Sequence, residues 1–79
     1  MKIPAVKNLV ERYTLAEVTL AEEAILEGLV PEIEIEGEDE GEQLTHAFAA
    51  KFILEQMNEG VDFKTALRNF TSKVRSSIS

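Results

Sequence analysis

The segment AFAAKFIL, residues 47–54, contains a single polar residue, Lys51. At the 3.6-residue period of an α-helix, these side chains leave most of the helix circumference apolar. A helix of this kind is covered on several sides, so the rest of the chain must be arranged around it. Asp39 fits an N-cap and Gly60 fits a stop, which together predict a helix from about residue 40 to residue 59. In a chain this short, part of the cover could come from a second subunit.

Three further segments carry helix signals. Pro4 suits the first turn of a helix that runs to about residue 12. Thr14 and Glu17 have the spacing of a capping box, which starts a second helix that stops near Gly28. Asp62 caps a fourth helix with one apolar stripe. The predicted fold class is therefore all-α, a single small four-helix domain over residues 1–79 with one short extended segment between helices 2 and 3.

The second helix is predicted to have one inward and one outward face. The apolar residues placed inward are Leu15, Val18, Ala21, Ile25 and Leu29. The acidic residues placed mostly outward are Glu17, Glu22, Glu23 and Glu27.

Residues 32–36, EIEIE, alternate acid and isoleucine with the period of a half-buried strand. Ile33 and Ile35 share one face of this predicted strand, and the three glutamates share the other. No other segment has a strand pattern, so the backbone groups here need water or another chain as partners. We therefore expect Ile33 and Ile35 to pair across a two-fold axis in a dimer.

The chain has 79 residues and no cysteine. Disulfides, thiolate metal sites and thiol catalysis are therefore excluded, and a core this thin is often supported by oligomerisation. The first function hypothesis is a non-catalytic, homo-oligomeric protein-interaction module, expected to be a homodimer. Its predicted interface consists of Ile33, Ile35, Phe48, Phe52 and Ile53.

The acidic segment and the single histidine support a second hypothesis, a divalent metal site. Its candidate ligands are Glu38, Asp39, Glu40, Glu42 and His46. Glu42 and His46 are four residues apart, on one face of the third helix. A calcium loop that starts at Glu36 has acids at the first positions, but Ala47 stands where a bidentate glutamate is required. His46 could instead be structural, bonded to Glu42 or to the loop. No cofactor is predicted.

The charges are unevenly distributed along the chain, whose net charge is −7. Residues 14–62 carry 14 acids against Lys51 alone, whereas residues 63–79 carry four cations and no acid. An acidic middle repels nucleic acid, which excludes that partner. The third hypothesis is an acidic adaptor or inhibitor that covers a basic protein. There is no apolar run of membrane-spanning length and no signal-peptide pattern, so we expect a cytoplasmic protein without a membrane partner.

Catalytic motifs are missing from the sequence. The chain has neither a nucleophile elbow nor a glycine-rich phosphate loop, and its serines lie far along the chain from the one histidine. We expect the protein not to be an enzyme.

Three stretches carry a family resemblance: KIPAVKNLVERYTLAE, EIEIEGEDEGEQLTHAFAAKFILEQM and DFKTALRNFTSKVR. Together they resemble a family of short, uncharacterised bacterial proteins known only as a domain of unknown function. Such proteins look like companions of thioredoxin and peroxiredoxin genes, which implies a redox context. A chain without cysteine could not itself be the redox carrier. The resemblance implies no catalytic residue.

Overall fold

Four helices form the computed structural model of this protein: α1 (Ile3–Arg12), α2 (Leu15–Leu26), α3 (Glu40–Asn58) and α4 (Phe63–Ile78). The structure describes residues 1–78, with the side chains of residues 1–75. The predicted all-α class and all four helices are confirmed. Within this described part, no helix has both the length and the apolar character that crossing a membrane would require.

α3 is the central helix, because the main helix–helix contacts each join it to α1, α2 or α4. Ala47, Ala49 and Ala50 are fully buried along it, as is Ile53. Small side chains on a central helix allow its neighbours to pack closely on several sides. The prediction that the rest of the chain surrounds the AFAAKFIL segment is confirmed, except that Phe48 remains exposed.

The ends of α2 follow local rules. The Thr14 side chain accepts a hydrogen bond from the Glu17 N–H, and the Glu17 carboxylate accepts one from the Thr14 N–H, which completes the predicted capping box. At the other end, Gly28 has a φ of 78°, a conformation that glycine adopts without a steric penalty. The N–H of Leu29 then bonds the carbonyl of Ala24 at 2.8 Å, as in a Schellman motif.

Because of this turn, the predicted inward position of Leu29 is wrong. The motif turns the chain out of the helix, so Leu29 leaves the inward stripe and is exposed on the surface beside Ala24. The predicted outward position of Glu22 is also wrong. Its side chain is buried, and its carboxylate lies 3.2 Å from the ammonium group of Lys51 on α3. The ion pair explains how an acid is tolerated at that depth.

Residues 32–36 do not form a strand, and the described residues contain none. The side chains of this segment still point as the alternation predicted: Ile35 is buried, Ile33 is half-buried and the glutamates are exposed. Gln43 and His46 of α3 take two of the segment's carbonyl groups, those of Ile35 and Glu36. The period-two pattern therefore predicted which side chains face the core, while the carbonyls of Ile35 and Glu36 are bonded by side chains of α3.

Asp62 caps α4 as predicted. Its side chain accepts a hydrogen bond from the Thr65 N–H at 2.8 Å, and its carbonyl accepts the N–H of Ala66. Hydrogen bonds from the Thr65 side chain and backbone, with smaller help from the charges of Lys64 and Arg68, lower the pKa of Asp62 below its ordinary value of 3.8.

We expect Asp62→Asn to reduce the acid sensitivity of the fold. A carboxylate with a lowered pKa stabilises the native state above its unfolded pKa, and that stabilisation is lost as pH falls through the folded pKa. Urea unfolding of both proteins between roughly pH 5 and pH 2 measures the difference, because the remaining carboxylates are common to both. Parallel stability–pH curves for the two proteins would contradict the assignment.

Candidate functional site

His46 joins three parts of the chain. Its side chain is fully buried, with 0% of its surface exposed. Its Nδ1 lies 2.7 Å from the carbonyl oxygen of Glu36, and its Nε2 accepts the backbone N–H of Lys2 at 3.0 Å. Lys2 is the N-cap residue of α1, and Glu36 ends the extended segment. One α3 side chain therefore holds both the start of α1 and the acidic loop.

The two hydrogen bonds determine the protonation of this ring. A carbonyl oxygen only accepts, so Nδ1 of His46 carries the hydrogen that bonds Glu36. The N–H of Lys2 only donates, so Nε2 carries none. The ring is the neutral Nδ1–H tautomer, and both of its nitrogens are occupied by backbone groups. A metal ion would have to displace one of them, in a position that solvent does not reach.

The predicted acidic ligands have local roles at the start of α3. The Asp39 carboxylate accepts the N–H of Glu42 at 2.8 Å, and the Glu42 carboxylate accepts the N–H of Glu38 at 2.9 Å. Glu38 and Glu40 themselves point to solvent. The structure does not bring these acids together with His46, and no group of three or more potential ligands is found among the described residues. In the structure, Asp39 caps the start of α3 and Glu42 closes the turn before it.

The five predicted interface residues are distributed between core and surface. Ile53 is fully buried and Ile35 nearly so, and both belong to the core of the single chain. Ile33 and Phe52 are half-buried against that core. Phe48 alone is exposed, with 48% of its surface accessible. The centroid of its ring lies 5.9 Å from that of the buried Phe70, so the Phe48 ring also packs against the core.

Phe48 belongs to a larger exposed surface, the α2–α3–α4 face, which we define by Leu26, Leu44, Phe48 and Val74. These residues line a groove of about 480 Å³ whose floor includes Phe70. Leu26 has 65% of its surface exposed, although it is a large apolar residue. Among the described residues that line this groove, Glu22 is the one acid, and it is paired with Lys51. The face is thus apolar and locally close to neutral.

A second apolar surface lies on another side of α2. Two adjoining cavities, of about 340 and 500 Å³, share Leu29, Val30, Glu32 and Ile33, and we call them together the acidic groove. Leu20 forms part of its wall on α2. Val30 is the most exposed large apolar residue in the described chain, at 90%.

Sequence reasoning missed most residues of both surfaces. Leu20 and Leu26 did carry a signal, because both are apolar residues outside the predicted inward stripe of α2. At about 100° per residue, they lie roughly 120° apart and flank the buried stripe on opposite sides. Val74 was assigned to the stripe of α4, and its partial exposure follows from packing that the periodicity does not show.

The fold and these surfaces define a small all-α protein in which acids of the loop cap α3 and two partly apolar grooves lie on either side of α2. Over residues 1–79 the chain matches the Family of unknown function (DUF6952), and it belongs to that family. No curated protein and no solved structure matches it.

We expect His46→Leu to lower the free energy of unfolding by about 1–3 kcal/mol, because the Lys2 N–H and the Glu36 carbonyl lose a partner inside the protein. Urea unfolding measures the loss. Lys2→Ala is the control: it keeps the backbone N–H, so the change should stay within about 0.5 kcal/mol. A His46→Leu protein as stable as the wild type would show that the ring only fills space.

Core and interface roles of Ile53 are distinguished by a second substitution. We expect Ile53→Val to cost about 0.5–1.5 kcal/mol, as for a buried methylene group, with no dependence on protein concentration. Ile3→Val, at an exposed isoleucine, is the matched control and should cost less. If the cost at Ile53 instead disappears on dilution, the residue stabilises an assembly and not the single chain.

Proposed function

We propose that the protein is a non-catalytic interaction module that forms a homodimer through the α2–α3–α4 face. The observation that carries this proposal is the continuity of Leu26, Phe48 and Val74 around one groove on three helices. Contiguous apolar surface of this kind on a small protein is typical of an association site. Single exposed apolar residues would need no such explanation.

Charge favours a second copy as the occupant of this face. Because Lys51 neutralises Glu22, two such faces can meet without burying an unpaired acid. At its α4 edge the face continues into a smaller cavity lined by Val74 and Arg75, whereas its α2 edge lies next to the exposed Glu23 and Glu27. The face therefore carries a cation at one edge and acids at the other.

The opposite charges at the two edges of the face are compatible with a dimer whose two-fold axis lies near Phe48. In such a dimer, Leu26 of one copy packs against Val74 of the other, since they lie on opposite sides of α3. The same rotation brings the acidic α2 edge of each copy to the basic α4 edge of its partner. An isologous interface requires a patch that complements itself in this way.

The shape of the molecule allows an interface of ordinary size. Its extents are 31 × 29 × 19 Å, so it is flattened. Three helices side by side, with about 8–10 Å between neighbouring axes, account for a width of this order. A face of that width can bury the roughly 800 Å² per partner that a specific dimer uses.

We also propose that the protein is not an enzyme and that it is cytoplasmic. A module of this kind needs no catalytic residue, and the acidic segment provides caps and turns, not a constellation around a substrate. We propose no nucleic-acid partner, because 14 of the chain's 15 acids lie between residues 14 and 62. We place the protein in the cytoplasm, because a chain without cysteine fits a reducing compartment. The bacterial, thioredoxin-associated context that the family resemblance implies remains a prediction. With no cysteine, the protein would act there as a companion.

The experiment compares two leucines of α2 that have nearly equal exposure. Light scattering and sedimentation of the wild type at about 50 μM should give a mass of twice 8.8 kDa, consistent with a dissociation constant near or below the micromolar range. We expect Leu26→Gln to raise that constant at least about tenfold, since it places a polar amide against Val74 of the other copy, within the interface.

Leu20→Gln is the matched control, because Leu20 lies on the same helix with 66% of its surface exposed but on the other flank. Leucine and glutamine have similar helix propensities, so neither change should unfold α2. The control should remain a dimer. A wild type that is monomeric at this concentration, or a Leu26→Gln protein that dimerises like the control, would refute the proposal.

A further inference from the structure

We propose that the acidic groove is a second, separate interaction site, which binds a basic amphipathic helix of another protein. The groove lies between α2 and residues 29–35, on the flank of α2 that the α2–α3–α4 face does not include. The proposal depends on the shape, the apolar lining and the charge of this groove. It does not require the protein to be a dimer.

The floor of the groove suits the approach of a helix. Leu20, Ala21 and Ala24 follow one another along α2 within the groove, together with Glu17 one turn earlier. The span from residue 17 to residue 24 is about 10 Å, or two helical turns. Two alanines on the floor let the backbone of a partner helix come close, and Leu20 forms a wall on one side.

The opposite wall is apolar and projects into solvent. Leu29 and Val30 follow the Schellman turn of α2, and Val30 has the largest exposed fraction of any large apolar residue that the structure describes. Ile33 lies half-buried below them. An anchor side chain of a partner, inserted between Leu20 and Val30, would cover apolar surface from both walls. Helix-in-groove recognition uses anchors of this kind at spacings of three and four residues.

Charge determines the chemistry of the partner. Every charged side chain among the described residues that line the groove is acidic: Glu17, Glu32, Glu34 and Glu40. Within residues 1–75, Glu32, Glu34 and Glu40 have no ion pair. Acids at the rim of an apolar centre attract a cationic partner and repel an acidic one. The complement is a helix with leucine-like residues on one face and lysine or arginine beside them.

The same charges argue against other occupants. Two copies of this groove would bring their unpaired acids together, so like charges oppose self-association here. Its acidic rim also opposes anionic nucleic acid and anionic lipid surfaces. A second copy of the chain could instead bind the groove through the exposed cations of its α4. The experiment below distinguishes this alternative from a different basic protein.

The test uses a defined probe: a fluorescent, amidated peptide of about 18 residues, made of leucine and lysine, with leucines at i, i+3, i+4 and i+7. Its anisotropy is titrated with the wild type and with the two matched leucine variants. We expect binding that weakens as salt is added, because salt screens the rim charges. Leu20→Gln should weaken binding at least about tenfold, whereas Leu26→Gln should bind like the wild type.

Two further controls separate groove recognition from general attraction between opposite charges. A scrambled peptide of the same composition keeps the charge but loses the apolar face, so it should bind at least about tenfold more weakly. Glu32→Gln combined with Glu34→Gln should weaken binding and reduce its salt dependence. Val30 and the other wall residues remain unchanged in that variant.

Any of the following results would overturn the proposal. If the wild type does not bind the amphipathic peptide, or binds the scrambled peptide equally well, the groove does not recognise a basic helix. If Leu26→Gln loses binding as Leu20→Gln does, the peptide occupies the α2–α3–α4 face. If Leu20→Gln changes the oligomeric state of the protein, a second copy occupies the groove. The dimer experiment can fail without affecting any of these results.

Discussion

The buried ring of His46 is the connection on which the rest of the structure depends. It joins α3 to the N-cap of α1, 44 residues away in sequence, and to the end of the extended segment, 10 residues away. A neutral imidazole can donate from one edge and accept at another, so a single side chain satisfies a backbone carbonyl and a backbone N–H at once. Gly37, next to this anchor, lies so close to α3 that a Cβ there would meet the backbone nitrogen of Gln43 at 2.8 Å. The acidic loop is therefore positioned by close packing as well as by hydrogen bonds.

This anchor also explains why the wall of the acidic groove is held in place. The segment that carries Val30 begins at the Schellman turn after α2, and it ends where Gln43 and His46 take the carbonyls of Ile35 and Glu36. Both ends are tied to helices, and Ile35 is buried between them. A surface held at both ends loses little conformational entropy when a partner covers it, which favours binding. The structural role of the histidine and the proposed recognition of a basic helix are thus connected.

The sequence predicted the four helices because their ends depend on local chemistry: Thr14 with Glu17, Asp39, Gly28 and Asp62 cap or stop helices through bonds within a few residues. It could not predict the partners of the extended segment, since alternation shows which side chains turn inward but not what bonds the backbone. The role of His46 depends on a contact across 44 residues, which leaves no local pattern. The exposed leucines were missed for a related reason. α2 is apolar around much of its circumference, so periodicity alone does not determine which face meets α3.

The two apolar surfaces differ most in charge, and that difference is the reason for proposing different partners for them. α2 contacts α3 through one stripe, yet it carries Leu20 and Leu26 on either side of that stripe, each with about two-thirds of its surface exposed. Beside Leu26, Glu22 is the only acid among the described lining residues and is paired with Lys51, so two identical faces could meet there without burying an unpaired acid. Beside Leu20 the acids have no cation, so identical faces repel and a basic partner is attracted. A net charge of −7 opposes contact between copies wherever unpaired acids would meet, so the proposed dimer uses the face whose acid is paired, and the proposed basic partner uses the groove whose acids are not.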